Sequence, residues 1–220
     1  MQQYKVTLNG LTPLLMHNDN IGFSDIVKKW MMDPTNKKTT VPGDDRTPAW
    51  TWIGYLYHNT KELGIPSDNL MTMLREGGAK VPKQGRETFK KQSQSGIVID
   101  REQFQFLLNN KPIPVEKIND LIYVNDFQKH VETIEKMGFE LFVKRAKIGT
   151  KKHVRVRPLF RNWSAVGTIT VLDEEIFGIT PEILETIFKL SGALCGLGDW
   201  RPSSPSSGSF GKFDPIIEKV

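Results

Sequence analysis

Between Phe142 and Trp163 the chain carries Lys144, Arg145, Lys147, Lys151, Lys152, Arg155, Arg157 and Arg161, with no acidic residue among them. Like charges at this density repel unless an anion or an acidic patch lies near. Arg155 and Arg157 are two apart, so on a strand they share one face, while Val154 and Val156 take the other. A cationic stripe of this kind suits the neutralisation of phosphates along a nucleic acid. The alternative is a solvated edge hairpin, because lysine also protects sheet edges from aggregation.

A second group is rich in glycine: Gly196-Leu197-Gly198-Asp199-Trp200-Arg201-Pro202, then Gly208-Ser209-Phe210-Gly211. Glycine lets a backbone approach a ligand closely and turn its N–H groups toward phosphate. Trp200 offers a stacking face and Arg201 a fork for phosphate or base. The segment follows a helical pattern and precedes a strand. A dinucleotide fingerprint has the opposite context, so that reading fails. The plain alternative is a helix cap and structural turn.

His17 lies close to Asp19 and Asp25 and is the one candidate for acid–base chemistry. A lone histidine is also a common structural residue. No nucleophile elbow, P-loop or HExxH motif is present. The four histidines have no metal-ligand spacing, and one cysteine, Cys195, can build neither a disulfide nor a cysteine zinc site. No cofactor and no metal are expected. Arg75, Lys80, Lys83, Arg86, Lys90 and Lys91, diluted by Glu76 and Glu87, read as a solvated face, and Trp50, Trp52, Tyr55 and Tyr57 read as core.

The elements that must position these groups follow from periodicity. Alternation at Tyr4, Val6 and Leu8 predicts a strand over 3–9. Helices are expected over 22–32, 67–79 and 126–137. Strands are expected over 96–99 and 103–108, with a turn at Asn109-Asn110. Runs 139–148 and 152–158 flank Gly149-Thr150, a hairpin turn. A strand follows over 163–172. Thr180-Pro181-Glu182 opens a helix with a capping hydroxyl, a proline and an acid. A loop over 196–211 leads to a strand over 212–219. The order fits an α+β, ferredoxin-like (RRM-like) β-α-β-β-α-β core. One domain, 1–220, is expected, with core from 1–16, 63–79 and 152–220, and a large central insertion over about 80–140.

The 220 residues are 38% hydrophobic and 25% charged, with a net charge of +5. That is globular composition with a mild preference for anionic partners. No apolar run approaches the roughly 20 residues of a membrane helix, and no leader or lipid anchor is visible. A reducing cytoplasm and no membrane partner are the expectation.

The loop 196–211, placed between the last helix and last strand, resembles the glycine-rich loop of the RAMP superfamily, the RRM-like proteins of CRISPR systems. Ile65-Pro66-Ser67-Asp68-Asn69-Leu70 is similar to a helix entry of its backbone subunits, and Thr12-Pro13-Leu14-Leu15-Met16-His17 to the end of its opening strand. The resemblance implies subunits stacked along RNA that hold the sugar–phosphate chain without reading sequence, in an oligomer or multi-subunit effector complex. It makes Gly196, Gly198, Gly208 and Gly211 the loop glycines. This chain departs from the pattern in the long interval from Gly198 to Gly208 and in the negative charge of Asp199. Gly198-Asp199-Trp200-Arg201-Pro202 also resembles phage and prophage proteins. The superfamily includes metal-independent guide-processing endoribonucleases, a role for which His17 is the one residue to propose. Single-stranded DNA remains open as the ligand, as does a phage assembly module whose basic hairpin docks an acidic protein.

Overall fold

The computed structural model describes residues 1–220, the side chain of Ile148 excepted. In chain order the elements begin β1 (Gln2–Gly10), β2 (Leu14–Leu15), α1 (Ile21–Met32), β3 (Gly64–Pro66), α2 (Ser67–Gly78), α3 (Lys90–Gly96), β4 (Ile97–Ile99), β5 (Gln103–Leu108) and β6 (Lys111–Pro112). They continue α4 (Glu116–Asn119), α5 (Phe127–Lys136), β7 (Glu140–Ile148), β8 (Lys151–Phe160), β9 (Trp163–Val171), α6 (Glu174–Phe177), α7 (Pro181–Leu190) and β10 (Phe213–Lys219). The protein is α+β with antiparallel sheets. Among the described residues no helix is long and apolar enough to cross a membrane.

The chain forms two compact units. Unit 1 is Met1–Leu15, His58–Ile113 and Arg161–Val220; unit 2 is Met16–Tyr57 and Pro114–Phe160. The division differs from the sequence expectation. Residues 80–113 belong to unit 1 because 97–99 and 103–108 supply strands that pair with β9. Residues 152–160 belong to unit 2, together with 16–57.

Unit 1 is built on a sheet of order β10-β1-β9-β5-β3, all pairs antiparallel. Alternation decides its faces. Tyr4, Val6 and Leu8 of β1 are buried, as are Ala165 and Ile169 of β9 and Phe104 and Phe106 of β5. Lys5 and Gln105 face outward. One face therefore packs on a core and the other meets solvent. The core side is completed by Leu70, Met73 and Leu74 of α2 and by Leu184, Ile187 and Phe188 of α7. The two helices approach closely at Gly77, where a Cβ would stand 3.0 Å from the Ile187 carbonyl and collide with Ser191 Oγ. Thr180 caps α7 by accepting from the Ile183 N–H, with Pro181 in its first turn. Asn109 and Asn110, with φ of 50° and 62°, close the two-residue turn from β5 to β6.

Unit 2 holds α1, α5 and the β7–β8 hairpin around an aromatic core. Trp50, Trp52, Phe139 and Phe160 are buried there. Trp50 meets Tyr123 edge-on at 5.1 Å, and Phe139 stacks on Phe160 at 4.8 Å. His130 is fully buried. Its Nδ1 accepts from Trp52 Nε1 at 3.0 Å, which leaves the proton on Nε2 for the Val124 carbonyl at 2.7 Å.

Burial holds the His130 imidazole below the ordinary histidine range. The unfolded imidazole takes a proton near pH 6.5, while the folded one resists it. The unfolded state then binds more protons, so His130 withdraws stability as pH falls below that value. The melting temperature should drop between pH 7.5 and 5.5. His130→Gln should be less stable at pH 7.5 and show a flatter pH dependence in the same thermal melts.

Candidate nucleic-acid interface

The β7–β8 hairpin turns at Gly149 and Thr150, and Gly149 supplies the positive φ of 59° that the turn requires. Its register pairs Phe142 with Arg157, Lys144 with Arg155, Arg145 with Val154 and Lys147 with Lys152. Directly opposed residues share a face. One face therefore carries Phe142, Lys144, Arg155 and Arg157; the other carries Val143, Arg145, Lys147, Lys152, Val154 and Val156. The two arginines do share a face, as their spacing requires, and that face is turned inward at its base.

The reason is Asp45. Residues 43–45 run alongside β8: the Val154 N–H donates to the Gly43 carbonyl at 2.8 Å, and the Asp45 N–H donates to the Val154 carbonyl at 3.0 Å. Gly43 takes a φ of 83° there. The Asp45 carboxylate, only 6% exposed, accepts from Arg155 Nη1 at 2.9 Å and Arg157 Nη1 at 3.3 Å. It also accepts from the Val156 N–H at 3.2 Å and the Tyr55 hydroxyl at 3.2 Å. One carboxylate thus pairs with two guanidinium groups.

His17 and Tyr55 join this cluster. The Arg157 guanidinium lies 4.2 Å above the Tyr55 ring centroid. Arg157 Nη2 is 3.3 Å from His17 Nε2, and the His17 ring meets Tyr55 edge-on at 5.1 Å. The Tyr57 hydroxyl donates to the His17 carbonyl at 3.1 Å. Burial first, and then the charge of Asp45, push the Tyr55 phenol above its ordinary range. Asp19 and Asp25 are both exposed, and neither joins the cluster.

Toward the turn the hairpin changes character. Lys144, Arg145, Lys147, Lys151 and Lys152 are all exposed. Among the described residues no carboxylate pairs with Arg145, Lys147, Lys151 or Lys152. No Phe, Tyr or Trp stands between 143 and 159. The outer half is cationic on both faces and carries no Phe, Tyr or Trp of its own, which suits it to gripping phosphates. Arg161 is exposed and belongs to unit 1.

The loop 196–211 belongs to unit 1, where its amides are engaged with its own backbone and with residues 13–15. The Leu197 N–H donates to the Gly211 carbonyl at 3.0 Å, and Asp199 N–H to Leu15 O at 2.8 Å. Gly211 N–H donates to Pro13 O at 2.8 Å. Gly196, Gly198 and Gly211 have φ of 72°, 76° and 70°. Side chains at Gly198, Gly208 and Gly211 would strike the carbonyls of Leu15, Trp200 and Leu197. Close chain packing is thus a sufficient reason for these glycines. Trp200 stacks on Phe210 at 6.4 Å. Arg201 Nη2 lies 3.6 Å from Glu76, and Arg201 Nε donates to Ser203 Oγ at 3.0 Å. Cys195, at the end of the preceding helical turn, is buried, and burial pushes its thiol up to about 11.

Sequence reasoning missed Asp45 and Tyr55. The signal present was Gly43-Asp44-Asp45 inside a polar loop, a carboxylate far in sequence from the arginines it pairs with. The sequence matches no family model and no curated protein.

Removing Asp45 leaves two inward-facing guanidinium groups without their shared carboxylate. Asp45→Ala should destabilise the protein by about 3 kcal/mol, the lower end for breaking a buried pair because Arg155 is partly exposed. The urea midpoint should fall without a change of slope. Adding Arg155→Gln to Asp45→Ala should recover part of the loss.

Proposed function

We propose that the chain is a nucleic-acid-binding subunit, with RNA preferred, that holds a sugar–phosphate chain without sequence selection. The carrying observation is the outer half of the β7–β8 hairpin, where Arg145, Lys147, Lys151 and Lys152 stand exposed and, among the described residues, pair with no carboxylate. Lys144 lies at the border between this outer set and the Asp45 cluster. Cations left unpaired in this way attract a polyanion, and binding releases its counterions. We place the chain with the RAMP-type backbone subunits of CRISPR ribonucleoproteins, several copies lying along one RNA. In support, the order β1-α2-β5-β9-α7-β10, with sheet neighbours β10-β1-β9-β5, follows the ferredoxin-like scheme.

A second reading is favoured by one observation. His17 is exposed, its Nε2 faces the Arg157 guanidinium, and its ring meets the Tyr55 ring edge-on. An imidazole and a fixed cation are the groups a metal-independent endoribonuclease uses to move a proton and to stabilise a phosphorane.

One experiment separates these readings. A fluorescent RNA and the matching single-stranded DNA are titrated by anisotropy over a salt series, and the same samples are run on denaturing gels. Replacing Arg145, Lys147, Lys151 and Lys152 together by Gln should flatten the plot of log affinity against log salt by about 3, from roughly 0.7 per phosphate contact on a single strand. Unchanged affinity and slope would refute the assignment. Intact RNA after long incubation identifies a binding subunit; metal-independent cleavage that His17→Ala abolishes identifies a nuclease. A stable complex with an acidic protein, and no oligonucleotide binding at physiological salt, would mark an assembly module instead.

A further inference from the structure

The last strand, Phe213-Asp214-Pro215-Ile216-Ile217-Glu218-Lys219, carries a proline near its middle. Proline has no N–H, so a strand keeps it only where that position faces away from the ladder. β10 pairs with β1 on one side and has no strand on the other. The Leu11 N–H donates to the Lys212 carbonyl at 2.8 Å, and the Val220 N–H to the Gln3 carbonyl at 3.1 Å. Opposed residues of an antiparallel pair alternate between bonded and non-bonded. Asp214, Ile216 and Glu218 therefore turn their N–H and C=O groups to β1. Phe213, Pro215, Ile217 and Lys219 turn theirs to the open edge.

The start of that edge is covered. Residues 191–195 lie against it, where a Cβ on Gly192 would fall onto the Phe213 carbonyl. What remains is the Pro215 carbonyl and both backbone groups of Ile217 and Lys219. Among the described residues no backbone group elsewhere in the chain bonds to these. Unmet edge groups of this kind are a template for a further strand. Beside the edge, Pro181, Glu182 and Glu185 of α7 line a groove of about 420 Å³ that Pro215, Ile216, Ile217 and Lys219 complete. Ile216 is 50% exposed there.

We propose that β10 joins the β10 of a second copy, antiparallel across a two-fold axis at Ile217, so that two unit 1 sheets become one. The donor pattern selects this register. Each Ile217 N–H meets the Ile217 carbonyl of the other copy, and each Lys219 N–H meets a Pro215 carbonyl. Every outward donor is then satisfied, and the donor that proline lacks leaves only the Lys219 carbonyl to water. An axis at Pro215 would set two prolines face to face. An axis at Ile216 would aim the Lys219 N–H at the covered Phe213 carbonyl. Axes at Glu218 or Lys219 would oppose like charges, which destabilises a pair. Charge also favours the Ile217 register. Lys219 of one copy lies across from Pro215 of the other, on the helix side of the sheet, where Glu182 and Glu185 line the groove. The contact is small, which makes the dimer a weak one. It does not depend on the nucleic-acid reading.

The test uses the whole protein, freed of nucleic acid by nuclease treatment. It is sedimented over a concentration series while amide hydrogen exchange is followed by NMR. The sedimenting mass should rise toward twice that of the chain, and the Ile217 and Lys219 amides should exchange more slowly as concentration rises. Ile217→Pro deletes the outward donor and breaks no bond to β1, as Pro215 already shows, and should weaken the dimer about tenfold. Lys219→Glu, at an exposed position, is a second variant that leaves the core untouched. It should weaken the dimer about fivefold, and adding Glu182→Lys should restore it. A monomer at every concentration overturns the proposal. So does a dimer that both edge variants leave intact, or edge amides slowed only by an added extended peptide. Salt-dependent oligonucleotide binding would survive any of these results, and the hairpin variant with four glutamines should dimerise like the parent.

Discussion

The Asp45 carboxylate decides what the basic hairpin is. It lies beside β8, 2.9 Å from Arg155 and 3.3 Å from Arg157, and takes the Tyr55 hydroxyl as well. Two guanidinium groups on one strand face repel each other and are expensive to bury. With a carboxylate between them they become a fixed foundation, and the aromatic ring of Tyr55 covers the inner one. Everything further out on the hairpin, toward Gly149, is carried by this anchorage.

The clamp sorts the cations by role. Arg155 and Arg157 are engaged inside unit 2. Arg201, in unit 1, is similarly engaged by Glu76 and Ser203. Arg145, Lys147, Lys151 and Lys152 remain exposed on both faces of a two-stranded ribbon. The proposed contact with a sugar–phosphate chain therefore rests on the outer set alone. The inner set supplies position, and through Arg157 a charged neighbour for His17. The glycine loop has a comparable internal logic, since its amides bond carbonyls of residues 13–15 and of the loop itself.

Much of the local structure was legible in the sequence because its causes are local. Thr180 and Pro181 start α7 through a cap and a preset φ. Gly149 and the flanking β-branched residues specify the hairpin, and alternation at Tyr4, Val6 and Leu8 specifies β1 and its buried face. The shared face of Arg155 and Arg157 followed from a period of two. What lay across that face did not, because Asp45 is more than a hundred residues away and sits in a stretch with no periodic pattern. The division of the chain was illegible for the same reason. Trp50 and Trp52 announce a core, yet nothing near them says that they pack with Tyr123, His130 and Phe139.

Lysine footprinting, in which the protein is acetylated with and without a bound RNA and the modified positions are read by mass spectrometry, addresses the division of cations most directly. Lys144, Lys147, Lys151 and Lys152 should lose reactivity in the complex, while Lys28, Lys29 and Lys189 keep theirs. Full reactivity at the four hairpin lysines, with protection elsewhere, would contradict the assignment of the outer hairpin as the phosphate-holding surface.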